Sequence, residues 1–523
     1  MLLGRAGARR GSATGDNRCR DNSGKRIAAD RRGGSAVTEN GSDRRSVAVV
    51  GGGVSGLSAA FLLKKAGFKV TVLEGSPRLG GKLAVSEVGG VAVDSGAEAL
   101  LARRPEGTGL IGELGLSGEL EVPGTTSAGI WTRGSVRPLP RRQFMGVPAD
   151  IAELAGTGIL SEAGVARAAQ EARLPDEEPA ADVSVTSRVG GRFGTELVDR
   201  LVEPLLGGVY AGRCDDLSFS ATLPALAEAA RGRSSLTEAA ASLVPPPGGG
   251  AGGAQSDVAQ APDQQPRPVF TTLTGGLGTL PEALAAASGA VVRTSAMARE
   301  LVRTQSGWRL TVGSAHAPEA VDADAVIIAV PAVPAGRLLA GVADSAATAL
   351  GEIRYASMAI VTLAYPVTAF PEPVTGSGFL VPAVDGRTIK AVTFSTVKWP
   401  HLRASQPDLH IVRCSVGRLG EDSVLQRDDA ELAALAAADL ADATGVRGRP
   451  ADVRVSRWGG GLPQYSVGHL DRVARIRAGV AAQPGLAICG AAYDGVGIPA
   501  CIGTARLAVE QVLAYFDSKD RPA

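Results

Sequence analysis

The sequence predicts a mixed fold that belongs to both the α/β and the α+β class. A strand–turn–helix–strand unit begins at Ser46 and is typical of a Rossmann-type parallel sheet. A stretch rich in Ala, Leu and Glu from about 105 to 243 is typical of helices, and a block from about 356 to 416 has a strand-like pattern. These three observations predict that a parallel sheet, a mainly helical part and a sheet-rich part share one chain.

The N-terminal unit is predicted from its local residue patterns. Ser46–Val50 is a β-branched run that ends at a glycine, and Val70–Leu73 is a second such run. Between them, an apolar pattern from Val54 predicts a helix that stops at Gly67. Further along, we expect strands at 291–292, 308–312 and 325–330, a helix at 427–443, and a final strand, glycine-rich turn and helix at 486–516.

The composition is that of a globular protein with balanced charge. The chain has 523 residues, 45% of them hydrophobic, and a formal net charge of +1, which argues against a nucleic-acid binder. No CxxC or HExxH pattern is present, so neither a disulfide framework nor a metal site is expected. Scattered cysteines fit a reducing cytoplasm, and no segment reads as a transmembrane helix. We expect a cytoplasmic protein with at most peripheral contact at the inner membrane surface.

Two segments are predicted to be poorly ordered. Residues 1–45 carry eleven Lys or Arg against five Asp or Glu and almost no large apolar residue, so we expect a disordered basic extension or a misplaced start codon. An apolar core typical of a secretory signal is absent there, and the acidic residues argue against a transit peptide. Residues 245–268 are rich in Pro, Gly and Gln and predict a flexible insertion.

A glycine-rich turn after the first strand predicts a nucleotide-binding site. Gly51, Gly53 and Gly56 fit the GxGxxG pattern, in which the glycines allow a tight turn, close approach to a pyrophosphate and close helix–strand packing. The pyrophosphate would lie on the N-terminus of the helix that begins with Val54 and Ser55. Glu74, at the end of the next strand, can accept hydrogen bonds from an adenosine ribose.

A second motif favours FAD over NAD. Arg78, Gly80, Gly81 and Lys82 follow the ribose acid closely, and this run resembles the glutamate–arginine–glycine–glycine signature of the amine-oxidase-like flavoproteins. NAD-dependent dehydrogenases lack that second motif. The glycine-rich turn from Gly490 to Ile498 precedes a final helix and could offer backbone N–H groups to a flavin ring. FAD is therefore the expected cofactor.

Several further motifs resemble the oxygen-dependent coproporphyrinogen III and protoporphyrinogen IX oxidases over about residues 46–516. They are Asp94–Glu98 with Leu101–Pro105, Ser377–Pro382, Lys398–Pro400, Leu462–His469 and Gly495–Ile502. The resemblance implies a Rossmann-type FAD-binding domain built from 46–104, 270–345 and 480–523. It also implies a mainly helical, substrate- and membrane-facing domain at 105–244, and a substrate domain with a mixed sheet at 346–479.

The motifs and the resemblance together predict the cofactor-binding residues. Met297 stands where family members usually place a β-branched residue beside the adenine. The expected FAD contacts are Gly51, Gly53, Val54, Ser55, Gly56, Glu74, Gly75, Arg78, Gly80, Gly81, Lys82, Gly96, Ala97, Glu98, Met297, Gly490, Val496, Gly497 and Ile498.

The resemblance implies oxidation of coproporphyrinogen III to coproporphyrin III in haem synthesis. Six electrons would leave in three flavin cycles, with dioxygen as acceptor and hydrogen peroxide as product. Arg103, Arg104 and Lys398 are the expected anchors for the propionates, and no catalytic acid or base is predicted. The two arginines could equally be exposed residues at a helix start. The enzyme of the next haem-pathway step is a candidate partner.

Other interpretations stay open at this stage. Protoporphyrinogen IX is the alternative substrate. A flavin amine oxidase, a carotenoid desaturase, or a flavin- and porphyrin-binding protein without turnover would share the cofactor motifs. Tyr465 and His469 could line a pocket or serve only as hydrogen-bonding groups in the core, and Cys489 and Cys501 are expected to be small core residues.

Overall fold

A computed structural model describes residues 45–175, 181–246 and 268–520. Apart from Arg45, the expected basic extension at 1–45 lies outside the described residues. So does the expected insertion at 245–268, except for its first two residues and its last. Among the described residues, no helix combines the length and the apolar character that crossing a bilayer requires.

A five-stranded parallel sheet is built from widely separated parts of the chain. Its first strand, Ser46–Val50, lies at the centre and pairs with Lys69–Leu73 on one side and Ala325–Ile328 on the other. In spatial order the strands are Val291–Arg293, Lys69–Leu73, Ser46–Val50, Ala325–Ile328 and Leu486–Ile488. The predicted strand–turn–helix–strand unit is therefore present, and later segments extend it.

Both faces of the parallel sheet are covered, which explains its continuous apolar strands. Val47 and Val49 pack against one group of helices, whereas Ala48 and Val50 point into a separate core on the opposite face. The helices of the first face are Val54–Lys65, Leu280–Ser288 and Ile498–Asp520. The second face is covered by the strands Ala298–Arg303, Trp308–Ser314 and Ala317–Ala323 and by the helices Ala332–Leu339, Asp344–Gly351 and His469–Ala481.

A second, seven-stranded sheet is antiparallel except for one pair of strands. That pair, Gly378–Leu380 with Gly129–Thr132, is parallel. The spatial order is Asp452–Pro463, Tyr355–Pro366, Leu409–Val416, Ile389–Phe394, Gly378–Leu380, Gly129–Thr132 and Ser135–Pro138. The helix Asp429–Thr444 packs on one face through Leu432, Ala436 and Leu440.

The stretch from 105 to 243 begins and ends with helices but is stranded in between. The expectation of a mainly helical stretch is wrong for residues 120–148, which form five short strands. Ile130, Trp131 and Thr132 are buried in the seven-stranded sheet. Pairing with a strand that is distant in sequence therefore determines their conformation, although the surrounding sequence favours helix. The α-helices are Pro105–Glu113, Ile151–Thr157, Glu162–Ala168, Gly191–Phe193, Thr195–Leu197, Glu203–Tyr210, Phe219–Thr222, Pro224–Ala230 and Leu236–Ser242, and Thr186–Gly190 and Val198–Val202 are π-helical.

Short elements connect these parts. Val85–Val88 and Val91–Asp94 form a hairpin, and Phe270–Leu273 pairs with Leu100–Leu101 and with Leu120–Glu121. The short helices Ser395–Lys398 and Pro400–Ser405 follow a strand of the large sheet. The last helix begins at Ile498, because the glycine turn before it leads directly into helical backbone.

Candidate functional site: an FAD cradle at the edge of the parallel sheet

The parallel sheet brings the predicted cofactor segments to one edge. Carboxyl ends of parallel strands meet at the same edge of a sheet, where open α/β folds bind their ligands. Gly51 follows the strand Ser46–Val50, Glu74 follows Lys69–Leu73, and Gly490 lies two residues beyond Leu486–Ile488. Met297 lies four residues beyond Val291–Arg293. Segments more than 400 residues apart in the chain thus meet at one place.

The first glycine turn is tightly packed against the sheet and the helix. Gly51 has φ +113°, and a Cβ there would lie 2.7 Å from the carbonyl oxygen of Ala329. A Cβ on Gly56 would lie 1.9 Å from the carbonyl oxygen of Gly51. The helix and the turn are therefore so close that only glycine fits at position 56. A Cβ on Gly53 would meet no atom of the described residues within 4 Å. The open side of the turn is therefore at Gly53.

A second glycine turn lies against the first. Gly80 donates its N–H to the carbonyl of Gly52 at 2.8 Å, and Gly80 forms a β-bridge with Gly53. A Cβ on Gly81 would lie 3.4 Å from the Cα of Gly53. The guanidinium of Arg78 donates to the carbonyl of Gly81 at 2.7 Å and so holds this second turn together. The two motifs form one backbone cradle.

Glu74 is held by backbone groups and retains acceptor capacity. Its two carboxylate oxygens accept from the N–H groups of Gly52 and Ser76, each at 2.7 Å. Each carboxylate oxygen can accept a further bond, which suits the hydroxyls of a ribose. Beside it, a Cβ on Gly75 would lie 3.5 Å from Cε of Met297, whose side chain is half exposed. Met297 thus lies next to the expected ribose and adenine position.

Lys82 brings a cation to the junction of the two glycine turns and the last helix. Burial lowers the pKa of Lys82, and the nearby thiol of Cys501 acts in the opposite direction. The Cys501 thiol donates to the carbonyl of Val496 at 4.0 Å, and Ser55 lies near it. Within the described ranges the Lys82 ammonium makes no hydrogen bond or ion pair with protein, so an anion beside it would be favoured.

The glycine turn before the last helix is braced by a stacked pair of aromatic side chains. The Tyr465 hydroxyl donates to the carbonyl of Ala491 at 2.8 Å and accepts from the N–H of Gly495 at 2.7 Å. The ring of His469 stacks on that of Tyr465 with centroids 3.8 Å apart. Burial lowers the pKa of His469 to about 4, so the ring is neutral at pH 7. Both side chains support the turn from within the core.

The rest of that turn lies between two cores. Val496 packs on the helical core that contains Tyr465, whereas Ile498 is buried in the core beneath the parallel sheet. Gly490 and Gly495 have φ +135° and +138°, and in the part of the chain that the structure describes a Cβ on Gly490 would meet no atom within 4 Å. Gly497 accepts a helical bond from the N–H of Cys501 at 3.0 Å. The N–H groups of the first helical turn begin here.

A buried carboxylate lies between two cations at the neighbouring Gly96–Ala97–Glu98 segment. A Cβ on Gly96 would lie 2.0 Å from the carbonyl oxygen of Lys82, which ties this segment to the second glycine turn. Glu98 is ion-paired with Lys398 at 2.6 Å and, more closely, with Arg413. Burial alone would raise its pKa, but Lys398 and Arg413 outweigh burial and lower the pKa of Glu98 to about 2.

The three expected substrate anchors lie around one short sheet, and at least two of them have protein partners. Lys398 is paired with Glu98 and lies over the ring of Phe270, a residue that pairs with Leu101. Arg104 forms an ion pair with Glu106 at 3.1 Å and precedes the helix Pro105–Glu113. Arg103 is partly buried beside it. Because Lys398 and Arg104 are already ion-paired with Glu98 and Glu106, they are less available to bind a substrate carboxylate than a cation without such a partner would be.

Arg413 is a charged residue of this site that the sequence did not predict. Its strand, Leu409–Val416, is otherwise almost wholly buried, and a single arginine in such a strand signals a buried partner. The partner, Glu98, lies 315 positions away and could not be assigned from spacing.

The cradle fits FAD. Gly53 and Gly490 leave open space where side chains would otherwise stand, and Glu74 keeps free acceptor positions. Lys82 supplies a cation that has no ion-pair partner among the described residues, and the N-termini of the helices Val54–Lys65 and Ile498–Asp520 lie beside it. Backbone N–H groups at helix starts favour phosphate and reduced-flavin charge.

Comparison with known proteins identifies the family. Residues 54–513 match the sequence model of the family described as flavin containing amine oxidoreductase. The coproporphyrinogen III oxidase of Mycobacterium tuberculosis is 38% identical over 482 residues, which cover 91% of this chain and 99% of that protein. The chain belongs to the porphyrinogen oxidase family of flavoproteins. It is an oxidoreductase, and its cofactor is FAD.

Two further relatives agree with this family. The coproporphyrinogen III oxidase of Bacillus subtilis is 31% identical over 491 residues, covering 91% of this chain and 99% of that protein. A crystal structure from Exiguobacterium sp. 255-15, assigned as a protoporphyrinogen oxidase, superposes with a TM-score of 0.77 at 31% identity. It covers 90% of this chain and 99% of that chain. The porphyrinogen oxidase fold thus extends over nearly all of the described residues.

Proposed function

We propose that this protein oxidises coproporphyrinogen III to coproporphyrin III in haem synthesis. Similarity to coproporphyrinogen III oxidases along 91% of the chain and 99% of the relative carries the proposal. The reaction removes six electrons and six protons, and three dioxygen molecules accept them as three hydrogen peroxide molecules. Bound FAD supplies the two-electron acceptor for each round.

The chain's own residues bind and orient in this proposal. The glycine cradle and Glu74 hold the nucleotide, and Lys82 balances its negative charge. Tyr465 fixes the glycine turn that faces the flavin. Because a porphyrinogen is electron-rich, correct placement of a meso carbon supplies most of the acceleration, and no acid or base on the chain is required.

We also propose the domain limits as 46–104, 270–345 and 480–523 for FAD binding, 105–244 for the helical domain and 346–479 for the sheet-rich substrate domain. Support comes from the parallel sheet, whose five strands all fall within the first three segments. The seven-stranded sheet takes five strands from 346–479 and two from 129–138. We therefore expect the helical and sheet-rich domains to share the substrate pocket.

Oxidation of coproporphyrinogen III under air by the FAD-loaded protein tests the function. We expect coproporphyrin fluorescence to rise faster than spontaneous oxidation, with three peroxide molecules released per porphyrin. The heat-inactivated protein is the control for spontaneous oxidation. A rate equal to that control would contradict the proposal, and bound porphyrin without peroxide would point to a carrier.

Protoporphyrinogen IX remains the second candidate substrate. The structural relative from Exiguobacterium, assigned as a protoporphyrinogen oxidase, favours it. Comparison of kcat/KM for the two porphyrinogens separates the alternatives, and we expect the larger value with coproporphyrinogen III.

A further inference from the structure

Lys390 is a buried lysine whose charge is unmatched. It lies in the strand Ile389–Phe394 and is 4% exposed. In the part of the chain that the structure describes, its Nζ atom has no hydrogen-bond partner. A buried ammonium without a partner is costly, so proteins rarely retain one unless it meets a ligand or an opposite charge.

The surroundings of Lys390 add positive charge. The buried guanidinium of Arg418 lies close enough to act on Lys390 and donates to the carbonyl of Val381 at 3.1 Å. Its acidic partner, Glu421, is 3.4 Å away, is 40% exposed, and is also approached by Arg213 at 3.7 Å. The partly exposed carboxylate of Glu421 is therefore shared between Arg418 and Arg213, and it compensates little of the charge of Lys390.

The pKa of Lys390 reflects the same imbalance. Burial, and then the charge of Arg418, lowers it to about 7, while Glu421 acts weakly in the opposite direction. A carboxylate that entered this place would remove the imbalance, because it would pair with the ammonium and with the guanidinium.

Lys390 lies in a strand whose neighbour borders the helical core that braces the glycine turn before the last helix. Its neighbour Ala391 pairs with Leu380, and the carbonyl of Lys390 accepts from the N–H of Val381 at 2.9 Å. Leu380 packs on the helical core that also contains Tyr465 and Val496. On the Arg418 side, Leu419 donates its N–H to the carbonyl of Ala211 at 2.7 Å. The ring of the neighbouring Tyr210 lies 5.4 Å from that of Tyr465, which braces the turn before the last helix.

We propose that Lys390 and Arg418 form a binding site for a propionate carboxylate of the porphyrinogen. The inference rests on the proposed function and adds a substrate anchor to it. The site differs from Lys398 and Arg104, whose charges are already paired with Glu98 and Glu106. Lys390 and Arg418 together offer an ammonium and a planar fork of N–H donors, which match a carboxylate.

Porphyrin binding to the FAD-loaded protein tests the site directly. Coproporphyrin III and its uncharged tetramethyl ester are titrated by fluorescence into wild type, Lys390→Met, Lys390→Arg and Lys69→Met. Methionine keeps the apolar stem and removes the charge. Lys69 is an exposed lysine at the start of the second strand of the parallel sheet, and its variant controls for the loss of one positive charge.

We expect Lys390→Met to bind coproporphyrin III at least about tenfold more weakly than wild type, while binding of the ester is unchanged. Lys390→Arg restores most of the affinity, and Lys69→Met matches wild type. Equal affinity of Lys390→Met and wild type for the free acid would overturn the site. So would equal losses for acid and ester, because Lys390 would then be only structural. If wild type bound neither porphyrin, the proposed function would fail along with the site.

Discussion

Replacement of Glu98 by glutamine tests the buried charge cluster beside the cofactor cradle. The carboxylate of Glu98 is 12% exposed and lies between Lys398 and Arg413. Glutamine keeps the shape of the side chain and removes its charge. Both cations then remain in the interior without their shared partner.

The magnitude follows from the pKa. The cations lower the pKa of Glu98 from its ordinary 4.5 to about 2, which corresponds to about 3 kcal/mol of net stabilisation of the charged form. Removal of one partner of a buried ion pair typically costs about 3–5 kcal/mol. We therefore expect Glu98→Gln to lower the free energy of unfolding by about 3 kcal/mol or more.

Urea unfolding of the FAD-loaded protein measures this loss, with Glu113→Gln as the matched control. Glu113 also bridges a lysine and an arginine, Lys65 and Arg506, but its side chain is 31% exposed. Exposed pairs contribute less than about 1 kcal/mol, so this variant should unfold almost as wild type does. Equal losses for the two variants would refute the reasoning.

The effect of Glu98 also depends on pH in a defined direction. Its folded pKa lies below the ordinary value, so the stabilisation is present above about pH 4.5 and disappears as the pH falls toward 2. The difference between wild type and Glu98→Gln should therefore shrink between pH 5 and pH 3.

Three further predictions concern the cradle, the turn and the buried lysine. Gly53→Ala should keep the fold, because the added methyl enters only the open side of the turn, but it should weaken FAD binding at least about tenfold as measured by flavin fluorescence. Gly109→Ala is the control: among the described residues its added methyl also meets no atom within 4 Å, and this variant should bind FAD as wild type does. Tyr465→Phe leaves two backbone groups of the turn unpaired at a cost of about 1–3 kcal/mol, which should lower FAD affinity and Tm, whereas Tyr365→Phe in the large sheet should leave FAD affinity unchanged. The pKa of Lys390 is about 7 in the folded protein and ordinarily 10.5, so unfolding takes up a proton between these values. Stability in urea should therefore rise more steeply from pH 7 to pH 9 in wild type than in Lys390→Met.

The cofactor cradle could be predicted from sequence because its signals are local. Gly51, Gly56 and Glu74 lie within one strand–turn–helix–strand unit, where spacing alone sets which backbone groups meet. Lys82 and Cys501 come from opposite ends of the chain, and only tertiary packing brings them near enough to affect each other's charge.

The substrate side was harder to predict because its charges are paired through space. Lys398 was predicted from the sequence to bind a propionate, yet its ammonium is ion-paired with Glu98, which lies 300 positions away in the chain. Lys390 drew no attention in sequence, since its burial and the proximity of Arg418 arise only when the large sheet forms. The strands at 120–148 were missed for a related reason, because partners in the large sheet decide their conformation.

Mixing the FAD-loaded protein with coproporphyrinogen III without oxygen tests the central claim most directly. We predict that the absorbance of oxidised flavin disappears within the mixing experiment and returns when air is admitted, while coproporphyrin accumulates. Flavin absorbance that stays unchanged with this porphyrinogen, but is lost on adding a primary amine such as putrescine, would contradict the account.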